Sequence, residues 1–200
     1  MSKSATVADH HATSHATAHL GEHKLAMKEV LKLLLEDKMI SRDDAEKAME
    51  HRHLQKSGTH PLVIIADQKF KSGQPPHKLL HLEALTEWLA GKLCMEYFHI
   101  DPLKINFATV TEVMPSAYAA RLKVLPVHVT SAEVTIATAE PFVRDWEPEL
   151  HGVIKKTIRR VLANPQDIER FQIEFYKLAA SVKKAGAADQ QQRSQAEATA

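Results

Sequence analysis

The sequence is poor in the features that identify an extracellular or membrane-spanning protein. It has one cysteine, Cys94, so no disulfide can form within the chain, and a reducing compartment is the natural environment. No run of apolar residues approaches the roughly 20 residues that cross a bilayer. The N-terminus has no charged region followed by an apolar core, so we predict no secretory signal. These absences indicate a soluble, cytoplasmic protein.

The chain also lacks an excess of charge of either sign. Lys and Arg total 26 and Asp and Glu total 25, which leaves a net charge of +1. A general nucleic-acid binder would carry a basic face, so this balance argues against one. The apolar content of 44% is ordinary for a globular protein, and the 200 residues allow one domain with flanking segments.

Residues 1–22 offer almost nothing to bury, and we expect them to form a disordered arm. Histidine recurs every fourth residue from the middle of this arm, at His11, His15, His19 and His23. On a helix these imidazoles would share one face and could bind a metal ion. A biased, low-complexity tail is the interpretation we favour, so we assign no metal ligand.

Two helices follow the arm and form a predicted hairpin. Between Lys24 and Asp37 apolar residues recur at helical spacing without Gly or Pro. Ser41 with Asp44 resembles a capping box and opens a second helix from about Arg42 to His53. Pro61 suits the first position of a third helix. We therefore predict a helical N-terminal subdomain over residues 23–81.

An amphipathic helix is predicted from about Leu82 to Cys94, with leucines on its inner face. Trp88 lies on its flank, where partly buried packing is the common arrangement. Cys94 would be a nucleophile only with a base beside it. Because it ends an apolar helix, we expect a buried, inert thiol.

A small sheet is predicted around residues 124–142, where beta-branched residues concentrate. Apolar and polar residues alternate on both sides of Thr130–Ala132, which is the pattern of two half-buried strands joined by a hairpin turn. Pro126 cannot donate to a sheet ladder, so the first strand should be an edge strand. Residues 158–163 (IRRVLA) fit a third strand.

The last helix is predicted to begin at Asn164–Pro165, a capping residue followed by proline. Its apolar residues form a seam at spacings of three and four: Ile168, Phe171, Phe175, Leu178 and Val182. Packing of this helix on the sheet is favoured, and docking of another subunit is the alternative. Residues 185–200 are polar and Gln-rich and should form a linker or disordered tail.

The predicted fold class is α+β: an N-terminal helical hairpin followed by a small three-stranded, mainly antiparallel sheet with helices packed on one face. The expected divisions are 1–22 for the arm, 23–81 for the helical subdomain, 82–184 for the α+β domain and 185–200 for the tail.

Several segments, in order, carry a family resemblance. They read IDPLKINFATVTEVMPSAYAARLKVLPVHV, then EVTIATAEPF, then IRRVLANPQDIERF. Together they resemble the N-terminal domain of the type II secretion ATPase (general secretion pathway protein E) and its type IV pilus relatives. The resemblance covers about residues 82–184. In full-length relatives this region couples a hexameric motor to inner-membrane platform proteins.

The catalytic signature of that family is missing from this chain. ATP hydrolysis needs a loop of the form G-x-x-x-x-G-K-[ST], which cradles the phosphates. None of the six glycines is followed by Lys-Ser or Lys-Thr. The family's tetracysteine metal motif is impossible with one cysteine. We therefore predict no catalytic residue, no cofactor and no enzyme activity in these residues.

Some relatives bind cyclic di-GMP through repeats that begin Arg-Leu-Gly and contain a second Gly. Here Glu29 stands at the Arg position, Leu31 at the first Gly and Lys38 at the second. Arginine would contact phosphate or guanine, and the glycines would admit the ligand to the backbone. We therefore predict that this motif does not bind the nucleotide.

The functional expectation is a docking module for an inner-membrane platform protein, cytoplasmic and peripheral at the membrane through that partner. The alternative is a ligand-sensing domain, for a cyclic dinucleotide or for a metal through the histidine arm.

Overall fold

The structure is a computed structural model that describes residues 22–53 and 57–197. Over these residues the predicted α+β fold is confirmed. None of the described helices has the length and hydropathy needed to cross a membrane. The elements are α1 (Met27–Glu36), α2 (Arg42–Arg52), α3 (Pro61–Asp67), α4 (Leu82–Lys92), α5 (Phe107–Val110), α6 (Ser116–Leu122), β1 (Val124–Val129), β2 (Glu133–Thr138), α7 (Trp146–Ile154), β3 (Thr157–Leu162) and α8 (Pro165–Glu197).

The three strands form one mixed sheet in the order β1-β2-β3. β1 and β2 pair antiparallel across the predicted hairpin turn, and β1 is the edge strand that Pro126 indicated. β2 and β3 pair parallel, so the sheet is not mainly antiparallel as predicted. The reason lies in the connection, because α7 crosses over between these strands and returns the chain in the same direction.

Helices cover both faces of the sheet, whereas the sequence predicted one covered face. On the first face Leu125, Val127, Ala137 and Val161 pack with residues of α5 and α8. On the second face, Val124, Val134 and Ile136 pack with residues of α6 and α7, including Trp146. Two covered faces explain why β2 is buried along almost its whole length.

Helices α1 to α4 share a separate apolar core, to which Leu162 at the end of β3 also belongs. Two polar contacts also join the N-terminal helices to the residues that follow β2. The backbone N–H of Leu25 donates to Glu140 Oε2 at 2.8 Å, and His60 Nε2 lies 3.0 Å from the carbonyl oxygen of Ala139. Helix α4, which the sequence placed with the second domain, packs on α3. The domain division itself stays a prediction.

Helix α8 is longer than predicted. Ile168, Phe171 and Phe175 are buried against the sheet, which agrees with the favoured interpretation of the seam. Leu178 and Val182 continue the seam but are 48% and 57% exposed. The helix runs on to Glu197, where a linker or disordered tail was predicted from residue 185. Ala, Gln, Lys and Glu are strong helix formers, and their helix propensity outweighs the polar, linker-like composition of this segment.

Candidate functional site

An open apolar groove of about 660 Å³ lies between the outer faces of α1 and α2. Its floor consists of Leu31 and Leu35 from α1 and of Ala45 and Met49 from α2. Leu35 and Met49 are only partly buried, so the groove presents apolar surface that the described residues do not cover. This is the shape that accepts an apolar ridge from another molecule.

Local hydrogen bonds fix the start of each helix that forms the groove. The Ala26 backbone N–H donates to Glu29 Oε2 at 2.8 Å, and Glu29 Oε1 lies 2.8 Å from His23 Nε2. Ser41 and Asp44 form the predicted capping box, in which the Asp44 N–H donates to Ser41 Oγ at 3.1 Å. The helix starts are therefore built from groups close in sequence.

The turn between α1 and α2 is anchored to the rest of the N-terminal core through Asp37. Its carboxylate accepts hydrogen bonds from Trp88 Nε1 and Lys92 Nζ, each at 2.8 Å. The hydrogen bond from Lys92, followed by that from Trp88, lowers the pKa of Asp37 below its usual value. Gly73 N–H donates to the Met39 carbonyl at 2.8 Å on the same turn. These contacts hold the end of the groove in one position.

The two rims of the groove carry opposite net charges, although Glu36 adds one carboxylate to the α1 rim. Lys28 and Lys32 lie one turn apart on α1, and Glu46 and Glu50 lie one turn apart on α2. Lys32 forms one ion pair, with Glu36 at 3.9 Å. The side chains of Lys28, Glu46 and Glu50 form no ion pair with any residue that the structure describes. Charges without a partner among the described residues are available to another molecule.

The structure places the three residues of the dinucleotide motif in different environments. Glu29 is engaged with the start of α1 through Ala26 and His23. Leu31 is 4% exposed and contributes to the N-terminal core. Lys38 follows the end of α1 in the left-handed region, with φ of 53°, and its side chain is exposed. Lys38 therefore occupies the left-handed position of the turn that follows α1.

A second cleft, of about 680 Å³, lies between the N-terminal helices and the sheet domain. Four cationic side chains line it, namely Lys24, Arg52, Arg121 and Lys123, together with the carboxylates of Glu140 and Asp145. Sequence reasoning missed this cleft because its residues come from four separated segments of the chain. The excess of cations suits an anionic ligand.

Two titratable groups in this cleft are perturbed mainly by burial. Burial lowers the pKa of His60 to about 4, although the nearby Ala139 carbonyl opposes the shift. Its Nδ1 accepts from the Leu62 N–H at 3.3 Å while Nε2 faces Ala139 O, so the neutral imidazole uses both nitrogens. Burial raises the pKa of Glu140, and the hydrogen bond from Leu25 N–H partly offsets this effect.

Cys94 is exposed, so the prediction of a buried thiol is wrong. It follows the end of α4 with φ of 52°, at the position where the chain turns away from the apolar face of the helix. Trp88 is partly buried, as expected.

The histidine arm lies outside the described residues except for His23, whose ring stacks on Phe142 with centroids 4.8 Å apart. The part of the chain that the structure describes contains no group of three His, Cys, Asp or Glu residues arranged to hold a metal ion.

Comparison with known proteins identifies the domain. Residues 93–182 match the family model of the MshEN domain. The type IV pilus assembly ATPase TfpB of Acinetobacter baylyi is 35% identical over 154 residues, which is 76% of this chain and 26% of TfpB. The chain thus spans about a quarter of the length of that relative.

Two solved structures are also similar. The structure described as MshE with cdg aligns with a TM-score of 0.51 and 16% identity, covering 74% of this chain and 98% of that one. The N-terminal domain of XpsE aligns with a TM-score of 0.46 and 13% identity, covering 75% and 96%. The match to the MshEN family model and the similarity to TfpB show that this chain contains an N-terminal domain of the type II secretion and type IV pilus-assembly ATPases, with a fold like that of MshE.

Proposed function

We propose that this chain is a non-catalytic docking module of a type II secretion or type IV pilus-assembly ATPase. It couples the motor to a platform protein of the inner membrane by binding the cytoplasmic part of that protein. In the cell the module is cytoplasmic and held at the membrane through this partner. The matched region is the N-terminal domain of these ATPases. ATP hydrolysis and assembly into a hexamer are therefore proposed only for a full-length protein that contains this domain.

The observation that carries the proposal is the groove between α1 and α2. A folded domain normally covers its apolar helix faces, and a persistent apolar groove with charged rims is a common feature of binding sites. The groove residues Leu35 and Met49 remain partly exposed although both also pack against the N-terminal core. The groove also lies outside residues 93–182, the part of the chain that matches the family model.

The test is a direct binding measurement with the full 200-residue chain. The chain is immobilised without nucleotide and exposed to purified cytoplasmic domains of platform proteins from secretion and pilus systems. Binding with a dissociation constant in the micromolar range or tighter supports docking and identifies the machine. Absence of binding to every platform domain contradicts the proposed function.

A matched pair of variants locates the contact. Met49→Asp places a charge in the groove, whereas Val153→Asp changes an exposed apolar residue on α7 that is 76% exposed. We expect the first variant to weaken binding at least about tenfold and the second to leave it unchanged. Circular dichroism melts verify that both variants are folded.

A second candidate function is sensing of an anionic ligand in the cationic cleft. The observation in its favour is the grouping of Lys24, Arg52, Arg121 and Lys123 around about 680 Å³. MshE, whose solved structure is described as containing cdg, has the same fold. The substitutions at Glu29, Leu31 and Lys38 argue against use of the relatives' dinucleotide motif in this chain.

A thermal-shift screen separates this candidate from docking. A ligand at 100 times its dissociation constant stabilises the native state by about 2.7 kcal/mol, which raises the melting temperature by several degrees. Cyclic dinucleotides test the cleft, and divalent metals test the histidine arm. Arg121→Gln should abolish a shift caused by binding in the cleft, whereas Lys104→Gln, an exposed lysine outside it, should not. The sensing function fails if no compound shifts the melting temperature.

A further inference from the structure

From the groove we infer the chemistry of the docking partner: an amphipathic helix with acidic residues along one flank of its apolar stripe and basic residues along the other. The acidic flank lies beside Lys28 and Lys32, and the basic flank lies beside Glu46 and Glu50. This inference rests on the proposed docking function and specifies the segment that the partner must offer.

The floor of the groove fits a helix. Leu31 and Leu35 are four residues apart on α1, and Ala45 and Met49 are four residues apart on α2. Each pair therefore forms a ridge along its helix, and the trough between two such ridges accepts the side chains of a third helix. Ala45 is the smallest of the four side chains and leaves room for a large apolar residue of the partner. An apolar stripe at i, i+3, i+4 and i+7 spacing would fill this trough.

The rims determine which charges flank that stripe. Lys28 and Lys32 are exposed on one side, and Glu46 and Glu50 are exposed on the other. Three of these four residues have no ion pair within the described part of the chain, and Lys32 has only the long pair to Glu36. A partner with two equal flanks would meet a like charge on one rim. A partner with unlike flanks meets an opposite charge on both rims, which favours it and fixes its direction in the groove.

The same charges argue against an anionic membrane surface as the occupant. A lipid surface of this kind attracts clustered lysines and arginines. Here Lys28 and Lys32 share the apolar patch with three carboxylates, of Glu36 on α1 and of Glu46 and Glu50 on α2. Net repulsion from the acidic rim leaves the helix as the better complement.

Three synthetic helical peptides test the inference with the full chain. All have the same leucine stripe and length, and a hydrocarbon staple on the outer face maintains their helicity, because short free helices are marginal in water. One peptide carries glutamates on one flank and lysines on the other, the second carries glutamates on both flanks, and the third carries lysines on both. Binding is measured by fluorescence anisotropy at low and high salt.

On the natural chain we expect the peptide with unlike flanks to bind about tenfold more tightly than either of the others. Reversing one rim should change this order. With Lys28→Glu and Lys32→Glu both rims are acidic, so the lysine peptide should bind best. With Glu46→Lys and Glu50→Lys both rims are basic, so the glutamate peptide should bind best. All four positions are exposed, so the variants should remain folded.

The inference is overturned if no peptide binds, if the order of affinities is the same on all three chains, or if vesicles of anionic lipid bind the natural chain more tightly than any peptide. These outcomes are distinguishable from failure of the docking function. A platform domain that binds the natural chain and both reversed-rim variants equally leaves the docking function intact but places it on another face.

Discussion

At the scale of single residues, two buried threonines on β2 differ in whether the hydroxyl has a partner. Thr135 and Thr138 are each 1% exposed. The Thr138 hydroxyl accepts from the Glu140 N–H at 3.0 Å. The Thr135 hydroxyl has no hydrogen-bond partner among the described residues. A buried hydroxyl without a partner costs about 1–3 kcal/mol of desolvation that nothing offsets.

Thr135→Val should therefore raise the free energy of unfolding, by about 1 kcal/mol, because valine has the same shape and removes the unpaired group. Thr138→Val is the matched control and should lower the free energy of unfolding by about 1 kcal/mol, since it leaves the Glu140 N–H without its acceptor. Urea unfolding of the three chains measures both changes. Destabilisation by Thr135→Val would show that the hydroxyl has a partner, such as a bound water molecule.

The pKa of His60 makes stability depend on pH with a definite sign. Its pKa falls from 6.5 to about 4 on folding. Between these values the unfolded chain binds a proton that the folded chain excludes. The free energy of unfolding should therefore fall as the pH is lowered from about 6.5 to about 4, by at most about 3 kcal/mol. The raised pKa of Glu140 acts in the opposite direction and offsets part of this loss.

The contribution of His60 is isolated by comparing the natural chain with His60→Asn at several pH values between 7.5 and 4.5. Asparagine can still cap the start of α3, but it does not titrate. We expect the stability difference between the two chains to shrink as the pH falls. A difference that is constant across this range would contradict the assignment of the pH dependence to His60.

At the scale of elements, the end of α1 shows how a helix can stop without glycine. Lys38 has φ of 53°, and the Met39 N–H returns to the Leu34 carbonyl at 2.9 Å. This hydrogen-bonded termination normally places glycine at the left-handed position, because other residues are strained there. The contacts of Asp37 and Gly73 hold the turn against that strain.

Lys38→Gly should therefore stabilise the protein by about 1 kcal/mol in thermal or urea unfolding. Lys38→Ala is the control, and it should not stabilise because alanine retains the Cβ atom that causes the strain. Equal stabilisation by both substitutions would indicate that the lysine charge is the cause. Gly73→Ala should destabilise, because the added Cβ would lie 2.5 Å from the Lys38 carbonyl oxygen.

Elements with local signals were predictable, and those that depend on tertiary context were not. The Ser41 capping box, the helix start at Pro61 and the hairpin at Thr130–Ala132 each depend on a few neighbouring residues, and all three are present. The parallel pairing of β3 follows from the path of α7, which periodicity does not reveal. Exposure of Cys94 follows from a turn of the backbone after α4 that the leucine spacing did not indicate.

The candidate site was predictable only in part. The hairpin that builds it followed from the sequence, but helical spacing places Leu35 and Met49 on the apolar face of their helices and does not show how far each is covered. The crossing of α1 and α2 leaves these two side chains partly uncovered, and a crossing depends on how two helices pack rather than on either sequence alone. The cationic cleft depends on segments that are far apart in the chain.

At the scale of the whole molecule, the N-terminal helices and the sheet domain are joined at β3. Leu162 belongs to the N-terminal core, and its backbone N–H and carbonyl also bond with Glu96 and Phe98 at 2.8 Å each. The contacts from Leu25 to Glu140 and from His60 to Ala139 join the same two parts. Strand β3 therefore packs in the cores of both parts. Loss of packing in one part should expose apolar residues of the other.

The two tryptophans allow this coupling to be measured. Trp88 packs in the N-terminal core, and Trp146 packs against the second face of the sheet. In Trp88→Phe the remaining fluorescence reports the sheet domain, and in Trp146→Phe it reports the helical part. Within each variant we expect the urea midpoint from fluorescence to coincide with the midpoint from far-ultraviolet circular dichroism, because the packing shared at β3 should make the two parts unfold together. Leu162→Ala, which removes the shared side chain, should lower both midpoints together, with a loss of about 3 kcal/mol of unfolding free energy.

Separate midpoints in the single-tryptophan variants would show two independent units, and a shift confined to the Trp88 signal would show that Leu162 stabilises only the helical part.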